Sequence, residues 1–513
     1  MAVYDFPFTT PHGLPPLQAA ITPFILLLAC LLVLSYIVYQ RFFSPLAGIP
    51  GPFWASVSRI WITKLSWHGG THRVMVDLHA KHGKLVRIAP NELSIAEPSD
   101  IKKIYGAGTK FRKSDWYSVW QGRRKFDLFP ERDEAVHSQQ RRLVARHYSM
   151  DSLKQLETYV EDAIVFFFRR MEDVRLQGTV DLGKWVQLLA FDVIGEITFS
   201  KRFGFMDVGE DDGSFKQINR ALRSASWVGQ MPWLYWLHDW LSPIIGSHLA
   251  ITARHGSLRS FAVREVEARK DRGSDREDIL SKLFATHKEK PGELDMTAVM
   301  SMATSNIFAG SDTTATSMRA VIYYLLKHPQ YKQKLVSEID AARKDGSISD
   351  PIKMAEADKL PYLQAVIWEG LRKHPAVGMS LPRTVPAGGF EACGRYLPAG
   401  TVIGTNPWVL HRDRAVYGAD ADDFNPERWL STDEARVSDM HRYLFTFGAG
   451  ARMCIGKNIG WMEMSKLIPM LFLRYDVRLS RPDTEWTMTS WWFVMQSGVD
   501  VTLTPRNIGD KVY

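Results

Sequence analysis

A single cysteine in this 513-residue chain lies among residues whose types and spacing suit metal-bound thiolate chemistry. The stretch Phe447-Gly448-Ala449-Gly450-Ala451-Arg452-Met453-Cys454-Ile455-Gly456 places three glycines, an aromatic ring and an arginine around Cys454. A lone cysteine is ordinarily a small buried hydrophobe with no chemistry. Here Phe447, Gly450, Arg452, Cys454 and Gly456 would each serve a thiolate ligating a haem iron, whose electronics depend on hydrogen bonds from nearby amides. Gly448 and Gly450 leave the backbone unhindered so that amides approach the sulfur, and Phe447 shields it. Arg452 offers a fork that fits a porphyrin carboxylate, and Gly456 lets the following helix lie close to the ring.

A second unusual run, Ala309-Gly310-Ser311-Asp312-Thr313-Thr314, falls inside a long predicted helix although Gly, Asp and Thr are poor helix formers. Local violations of this kind often mark function. Gly310 would give a ligand room against the helix, and a threonine hydroxyl bonded back to a carbonyl would open the ladder locally. Asp312 and Thr313 could then relay protons, the plainer alternative being a polar turn on a buried helix. Glu369 and Arg372, three apart on one helix face, can pair. Arg428, in Pro426-Glu427-Arg428-Trp429, adds a guanidinium upstream of the cysteine. Arg383, and Arg141 with His137, also suit carboxylates of a haem, although His137 is equally compatible with an ordinary surface position.

These residues need a large helical body to hold them. Residues 295–326 have the length and apolar spacing of one long helix, 330–344 of another ending at Gly346, and 363–373 of a shorter one stopped by Pro375. Residues 84–88 and 92–95 predict two short strands, and Ser99 a cap for a helix that ends at Gly106. Extended stretches at 379–385, 394–404 and 491–503 complete a mainly α fold with minor β, an α+β class. The chain is 45% hydrophobic and 12% aromatic, enough for a large core, and no linker or repeat divides residues 56–513, which read as one catalytic unit.

Only Cys30, Cys393 and Cys454 occur, which excludes a disulfide framework, and no Asn-x-Ser/Thr acceptor is present, which fits a cytosolic body. A net charge of +8, spread without a basic tail, gives no indication of nucleic-acid binding. Residues 17–39 form an uncharged apolar run of about 23 residues, about 34 Å as a helix, which reads as a transmembrane anchor. A cleaved signal peptide would want a basic start and a small-residue cleavage site, and neither is present. Arg41, Arg59 and Lys64 follow the run, so the positive-inside tendency puts the body in the cytosol and residues 1–16 in the lumen. Prolines 45, 50 and 52 with Gly51 make residues 40–55 a stiff hinge. Trp227, Trp233, Tyr235, Trp236 and Trp240 gather around Pro232 and suit either a lipid interface or ordinary core packing.

The cysteine stretch, the run at 309–314 and the Glu369, Arg372 and Arg428 motifs resemble the haem-binding loop, the oxygen-activation motif and the Glu–Arg–Arg network of the cytochrome P450 family. Ile49-Pro50-Gly51-Pro52 is similar to the hinge of its microsomal members. Phe111-Arg112-Lys113-Ser114-Asp115-Trp116-Tyr117, Leu128-Phe129-Pro130 and His411-Arg412-Asp413 look most like filamentous-fungal members of the pisatin demethylase type. The resemblance covers essentially the whole chain. It implies the P450 fold behind an N-terminal transmembrane helix, and haem b with Cys454 as axial ligand. Phe447, Gly450, Arg452, Gly456, Arg383, Arg141 and His137 would surround that haem, although many members carry Trp where His137 stands.

The same resemblance implies a network of Glu369, Arg372 and Arg428 that is structural, and an Asp312–Thr313 pair that delivers protons in a monooxygenase. Electrons would come from NADPH through a separate reductase at the endoplasmic reticulum membrane, since no Gly-x-Gly-x-x-Gly fingerprint occurs. Arg142 and Arg146, beside Arg141, are candidates for docking it. By position, Trp120, Phe126, Asn306, Ala309, Val377, Met379, Phe493 and Met495 wall a mainly apolar pocket. Such a pocket suits hydroxylation, epoxidation or demethylation of a small lipophilic secondary metabolite. The rivals are a haem-thiolate isomerase or dehydratase that does not use dioxygen, and a non-catalytic haem sensor; the intact Asp312–Thr313 pair argues against both.

Overall fold

The apolar run near the N-terminus folds as helix α1 (Pro16–Val38), continued by a π turn at Tyr39–Phe43. The computed structural model describes residues 16–246, 248–249 and 257–506, so the segment expected in the lumen lies outside the described residues except at its last position. Residues Pro23–Phe43 are long and apolar enough to cross a bilayer, and their apolar window buries nothing against the protein. An unpartnered apolar helix of this length is a candidate membrane anchor.

The segment expected as a hinge, residues 40–55, is tied to the body by Arg87, itself buried. Its guanidinium donates to Gln40 O at 2.9 Å, to Gln40 Oε1 at 2.7 Å and to Pro90 O at 2.6 Å, while its amide donates to Pro50 O at 2.7 Å. Strand β1 (Leu85–Ala89), which carries Arg87, pairs antiparallel with β2 (Glu92–Ile95), as the two hydrophobic runs around Pro90-Asn91 predict. With β3 (Arg112–Lys113), β4 (Arg383–Thr384) and β5 (Val402–Gly404) they make a five-stranded sheet of order β1-β2-β5-β4-β3, in which only β2 and β5 run parallel. The helix after β2, α2 (Pro98–Tyr105), ends at Gly106 as expected. Its cap is Glu97 and not Ser99: with Pro98 in the first turn, the start moves back two residues and the Glu97 carboxylate accepts from the Ser99 amide.

Helices α3 (Glu134–Val144), α4 (Leu182–Phe199), α5 (Met296–Lys327), α6 (Pro361–Lys373) and α7 (Lys457–Arg474) build the body. Asp295 caps α5 through the Ala298 amide, and the helix runs unbroken to Lys327, so the expected local opening at residues 309–314 does not occur. The threonine and serine hydroxyls in that run bond back to carbonyls within the helix without disrupting it. Gly310 also differs from expectation. A Cβ there would come within 2.4 Å of Ile194 on α4, so the glycine serves close packing of α5 on α4 and does not make room for a ligand.

The carboxylate of Glu369 on α6 is fully buried and accepts from five donors. Arg372 Nε and Nη2 lie at 2.9 and 2.7 Å, the Asn425 amide at 2.9 Å, Trp429 Nε1 at 2.9 Å and Arg428 Nε at 3.2 Å. Arg372 reaches further, to the carbonyls of His411, Ala421 and Asp423, and Arg428 to Tyr417 and Asp420. Burial alone would raise the Glu369 carboxyl, but the guanidiniums of Arg372 and Arg428 outweigh it and hold it below the ordinary carboxylate range. Glu369→Ala therefore leaves two buried guanidiniums uncompensated, and a loss of about 3–5 kcal/mol is expected in urea unfolding. Because the folded carboxyl is depressed, its contribution is complete above the unfolded value of about 4.3 and disappears as pH falls through the lower folded value. Glu369→Gln should lack that segment of the acid limb, and an acid limb unchanged from wild type would contradict the assignment.

Candidate active site

The Arg372 end of α6 leads directly to the cysteine loop. His411 Nδ1 donates to Arg372 O at 3.0 Å and its Nε2 accepts from the Phe445 amide at 2.7 Å, so one neutral tautomer joins the two. Burial, foremost, pushes the His411 imidazole down to about 3, which keeps it neutral. Thr446 Oγ1 donates to Leu371 O at 2.8 Å. The loop then closes on itself, with the Gly448 amide on Phe445 O at 3.0 Å and the Cys454 amide on Phe447 O at 2.9 Å. Gly450 has φ +60° and presses on the C-terminal end of α2, where a Cβ would lie 2.1 Å from Tyr105 O; only glycine fits both constraints.

Desolvation by the surrounding protein pushes the Cys454 thiol up even though its residue opens to solvent, while the amides of Gly456 and Lys457 and the charges of Arg141 and Lys457 pull it back. Those donors lie after the cysteine, at Gly456 and Lys457, and not at Gly448 or Gly450, where the sequence placed them; the Gly448 amide is taken by Phe445 O. A Cβ on Gly456 would meet only Cys454 Sγ, at 4.0 Å, so protein neighbours do not demand glycine there. Phe447 is partly buried against the main core, beneath the Lys457 ammonium. Among the described residues no three His, Cys, Asp or Glu side chains converge on a common point, so Cys454 suits a metal that brings its other ligands with it. Helix α5 is buried along most of its length but leaves Ala309 exposed and Asn306, Gly310 and Thr313 partly so, a strip at helical spacing. Cys454, with Ala451 and Met453, is exposed on a loop whose other residues are partly buried, and a flat ring between strip and thiol would cover both.

At one end of this site stand Lys113, His137, Arg141, Arg383 and Arg452. His137 is buried on α3, not on the surface, and burial together with the surrounding Arg452, Lys113, Arg141 and Arg383 pushes its imidazole down to about 3. Arg452, expected to meet a porphyrin carboxylate, pairs with Glu134 on α3 at 2.8 Å through Nη2 and 3.0 Å through Nε, which leaves its buried Nη1 without a partner. Arg383 Nη1 donates to the carbonyls of Leu381 and Pro382, and its guanidinium lies over the rings of Tyr105 and Tyr117. Lys113 and Glu134 escape a sequence reading, since nothing local separates them from other surface-type charges. Lys113 is buried, donates to Phe129 O and lies over the rings of Tyr117 and Phe129 at 4.4 and 4.8 Å. Burial, then Arg383 and Arg452, push its ammonium well below the usual lysine range. Such a cluster is short of negative charge and fits a dicarboxylate.

On the other side, Thr313 Oγ1 donates to Ala309 O at 2.8 Å, on the exposed strip of α5. Asp312 points the opposite way, fully buried towards α4, where Gln187 Nε2 donates to its Oδ1 at 2.5 Å and its Oδ2 has no partner. Burial pushes this carboxyl up to about 6 against the pull of Arg319 and Gln187. The expected walls are partly assembled. Trp120 is buried in an aromatic cluster with Trp116, Phe129, Trp492 and Phe308 of α5, and Val377 bridges Phe493. Asn306 Oδ1 accepts from Tyr148 Oη at 2.8 Å, Phe126 O accepts from Ser301 of α5, and Met495 Sδ from Thr316 of α5. Met379 is buried in the main core.

A model of the cytochrome P450 family matches residues 48–503. The chain is 41% identical over 480 residues to cytochrome P450 monooxygenase hepC of Aspergillus oryzae, covering 91% of this chain and 93% of that one. It is 36% identical over 500 residues to cytochrome P450 monooxygenase gsfF of Penicillium aethiopicum, covering 93% and 97%. It is also 36% identical over 475 residues to a pisatin demethylase of Fusarium vanettenii, covering 90% and 89%. The residues present fit the haem these proteins imply: a thiolate ligand with amides on its sulfur, and a cationic cluster short of counter-charge. Lys113→Met should speed haem loss to a scavenging apo-globin by roughly 10- to 100-fold, the worth of one charge-assisted hydrogen bond. An unchanged loss rate would remove Lys113 from the cofactor site.

Proposed function

The chain belongs to the cytochrome P450 family, and from that premise we propose that it oxidises a small lipophilic secondary metabolite, inserting one atom of dioxygen and reducing the other to water. It is a haem-thiolate monooxygenase, and the balance of its reaction needs two electrons and two protons for each substrate oxidised. The observation that carries the reading is the arrangement of α5, which offers the Thr313 hydroxyl on its exposed strip and a carboxyl behind it in the dry core. Haem, held by the Cys454 thiolate, would supply the oxygen chemistry.

Everything else falls to this chain's side chains. Thr313 Oγ1, bonded to Ala309 O, presents a hydroxyl that accepts a proton on one side as it gives one up on the other. Asp312 is the proton store that replenishes it. Lys113, Arg141, His137, Arg383 and Arg452 hold the carboxylate edge of the cofactor, and Glu369, Arg372 and Arg428 keep the thiolate loop in place. The rings of Trp116, Trp120, Phe308 and Trp492 exclude water and favour a flat, apolar substrate. Polyketide-derived or aromatic scaffolds fit that wall best, and the likeness to a pisatin demethylase supports oxidative removal of a methyl group from such a scaffold as the reaction to test first.

The electron source is a separate NADPH-dependent reductase in the endoplasmic reticulum membrane, where residues 17–39 anchor the chain, residues 40–55 form the hinge and residues 56–513 face the cytosol. Trp233, Trp236 and Trp240 are exposed on the helix Pro232–Ile245 and meet the lipid interface, whereas Tyr235 is buried and Trp227 packs on Trp67. Arg142 and Arg146 are exposed on the face where the reductase docks.

The reduced protein with carbon monoxide should give a strongly red-shifted Soret band that Cys454→Ser abolishes; retention of the band in the variant would overturn thiolate ligation. With reductase and an accepted substrate, Thr313→Ala should divert NADPH consumption to peroxide by an order of magnitude or more, the typical worth of a general acid. Equal coupling in variant and wild type would refute the role given to the hydroxyl.

A further inference from the structure

We infer that Gln187 and Arg319 are positioning residues for Asp312, the Gln187 amide holding the acid in one orientation and carrying the Arg319 charge to it through a single intervening group. Arg319, on α5 seven residues beyond Asp312, is buried. Its Nε donates to Gly183 O at 2.7 Å and its Nη2 to Gln187 Oε1 at 2.5 Å. With its oxygen taken by a guanidinium, Gln187 must turn its amide nitrogen to Asp312 Oδ1, where it lies at 2.5 Å. The order Gly183 carbonyl, Arg319, Gln187, Asp312 is therefore fixed in direction, and it crosses from α4 to α5 twice. Asp312 Oδ2, buried and unpartnered, is the oxygen left to carry and release a proton.

The intervening amide matters physically. A guanidinium in direct contact would hold the carboxylate ionised and locked, as Arg372 does to Glu369. Burial with no partner would hold the acid protonated. One amide between them leaves the carboxyl able to gain and lose its proton near neutral pH, as a proton store must. The other charged groups acting on the pair are Asp211, which pushes Asp312 up, and Asp181, which supports the charge of Arg319.

The inference rests on the reading that Asp312 delivers protons, and the experiment separates the two. Ferric holoenzyme is titrated from pH 4.5 to 8.5 by infrared difference spectroscopy. The protonated-carboxyl stretch of Asp312 is identified by its loss in Asp312→Asn, and substrate-free NADPH oxidation with reductase is followed over the same range. Gln187→Met removes the donor at nearly constant volume. Gln187→Glu keeps the acceptor for Arg319 but sets a carboxylate against Asp312, which tests the same contact should the Met variant not fold. Since the Gln187 hydrogen bond favours the ionised acid, both variants should move the Asp312 midpoint upward, by roughly one pH unit for Met and more for Glu. The pH profile of NADPH oxidation should move with it, while the carbon monoxide spectrum stays that of wild type. An unmoved midpoint in either folded variant overturns the inference. If Asp312→Asn oxidises NADPH with the wild-type pH profile, the proton-delivery reading itself fails, whatever the Gln187 variants do.

Discussion

Five donors on two oxygens make Glu369 the point through which the rest of the site is held. A buried carboxylate is tolerable only when its lone pairs are filled, and here they are filled by groups from α6, the Asn425 amide and the Pro426–Leu430 turn. Each arginine then spends its remaining N–H groups on carbonyls of the meander between Tyr417 and Asp423. That meander contains no long helix or strand of its own to satisfy its backbone, so side chains do what a ladder would do elsewhere. His411 passes the arrangement on, from Arg372 O to the Phe445 amide, which opens the cysteine loop. The loop can therefore be rich in glycine and still have a single conformation, because its rigidity is imported from a charged cluster behind it.

The two sides of the site are electrostatic opposites. Lys113, Arg141, Arg383 and Arg452 bring more cationic capacity than Glu134 can neutralise, and burial makes that imbalance costly until carboxylates arrive. The α5–α4 side holds an acid whose ionisation burial opposes and whose neighbours Arg319 and Gln187 favour. Binding a dianionic cofactor relaxes the first side and leaves the second unaffected, since Asp312 faces Gln187 and not the cationic cluster. On the proposed reading, cofactor retention and proton supply would thus be run by separate sets of residues, which would free either to vary without the other.

What could be read from the sequence was local. The residues around Cys454, the three-residue spacing of Glu369 and Arg372, and the extent of α5 each lie within one element, where periodicity and spacing are direct geometric statements. The contacts of Gln187, Arg319, Lys113, Glu134 and His411 were not legible, because their partners are distant in the chain and only packing brings them together. Gly310 shows the same limit from the other direction: its oddity in a helix was legible, but whether the bare face met a ligand or Ile194 depended on how α4 lies across α5. His137 was ambiguous for a similar reason, since a single histidine on a polar helix carries no mark of which face is buried.

Arg87 gives the anchor a different meaning from a simple attachment. Because its guanidinium and amide grip Gln40, Pro50 and Pro90 together, the end of the apolar helix is fastened to the edge of the sheet and cannot swivel about a loose linker. Were the candidate span to cross a bilayer, a body fastened in this way would keep one latitude and one heading relative to its plane. A partner confined to the same plane would then meet it by lateral diffusion in two dimensions with its orientation already chosen, and the search over rotations that limits encounters in free solution would be largely removed.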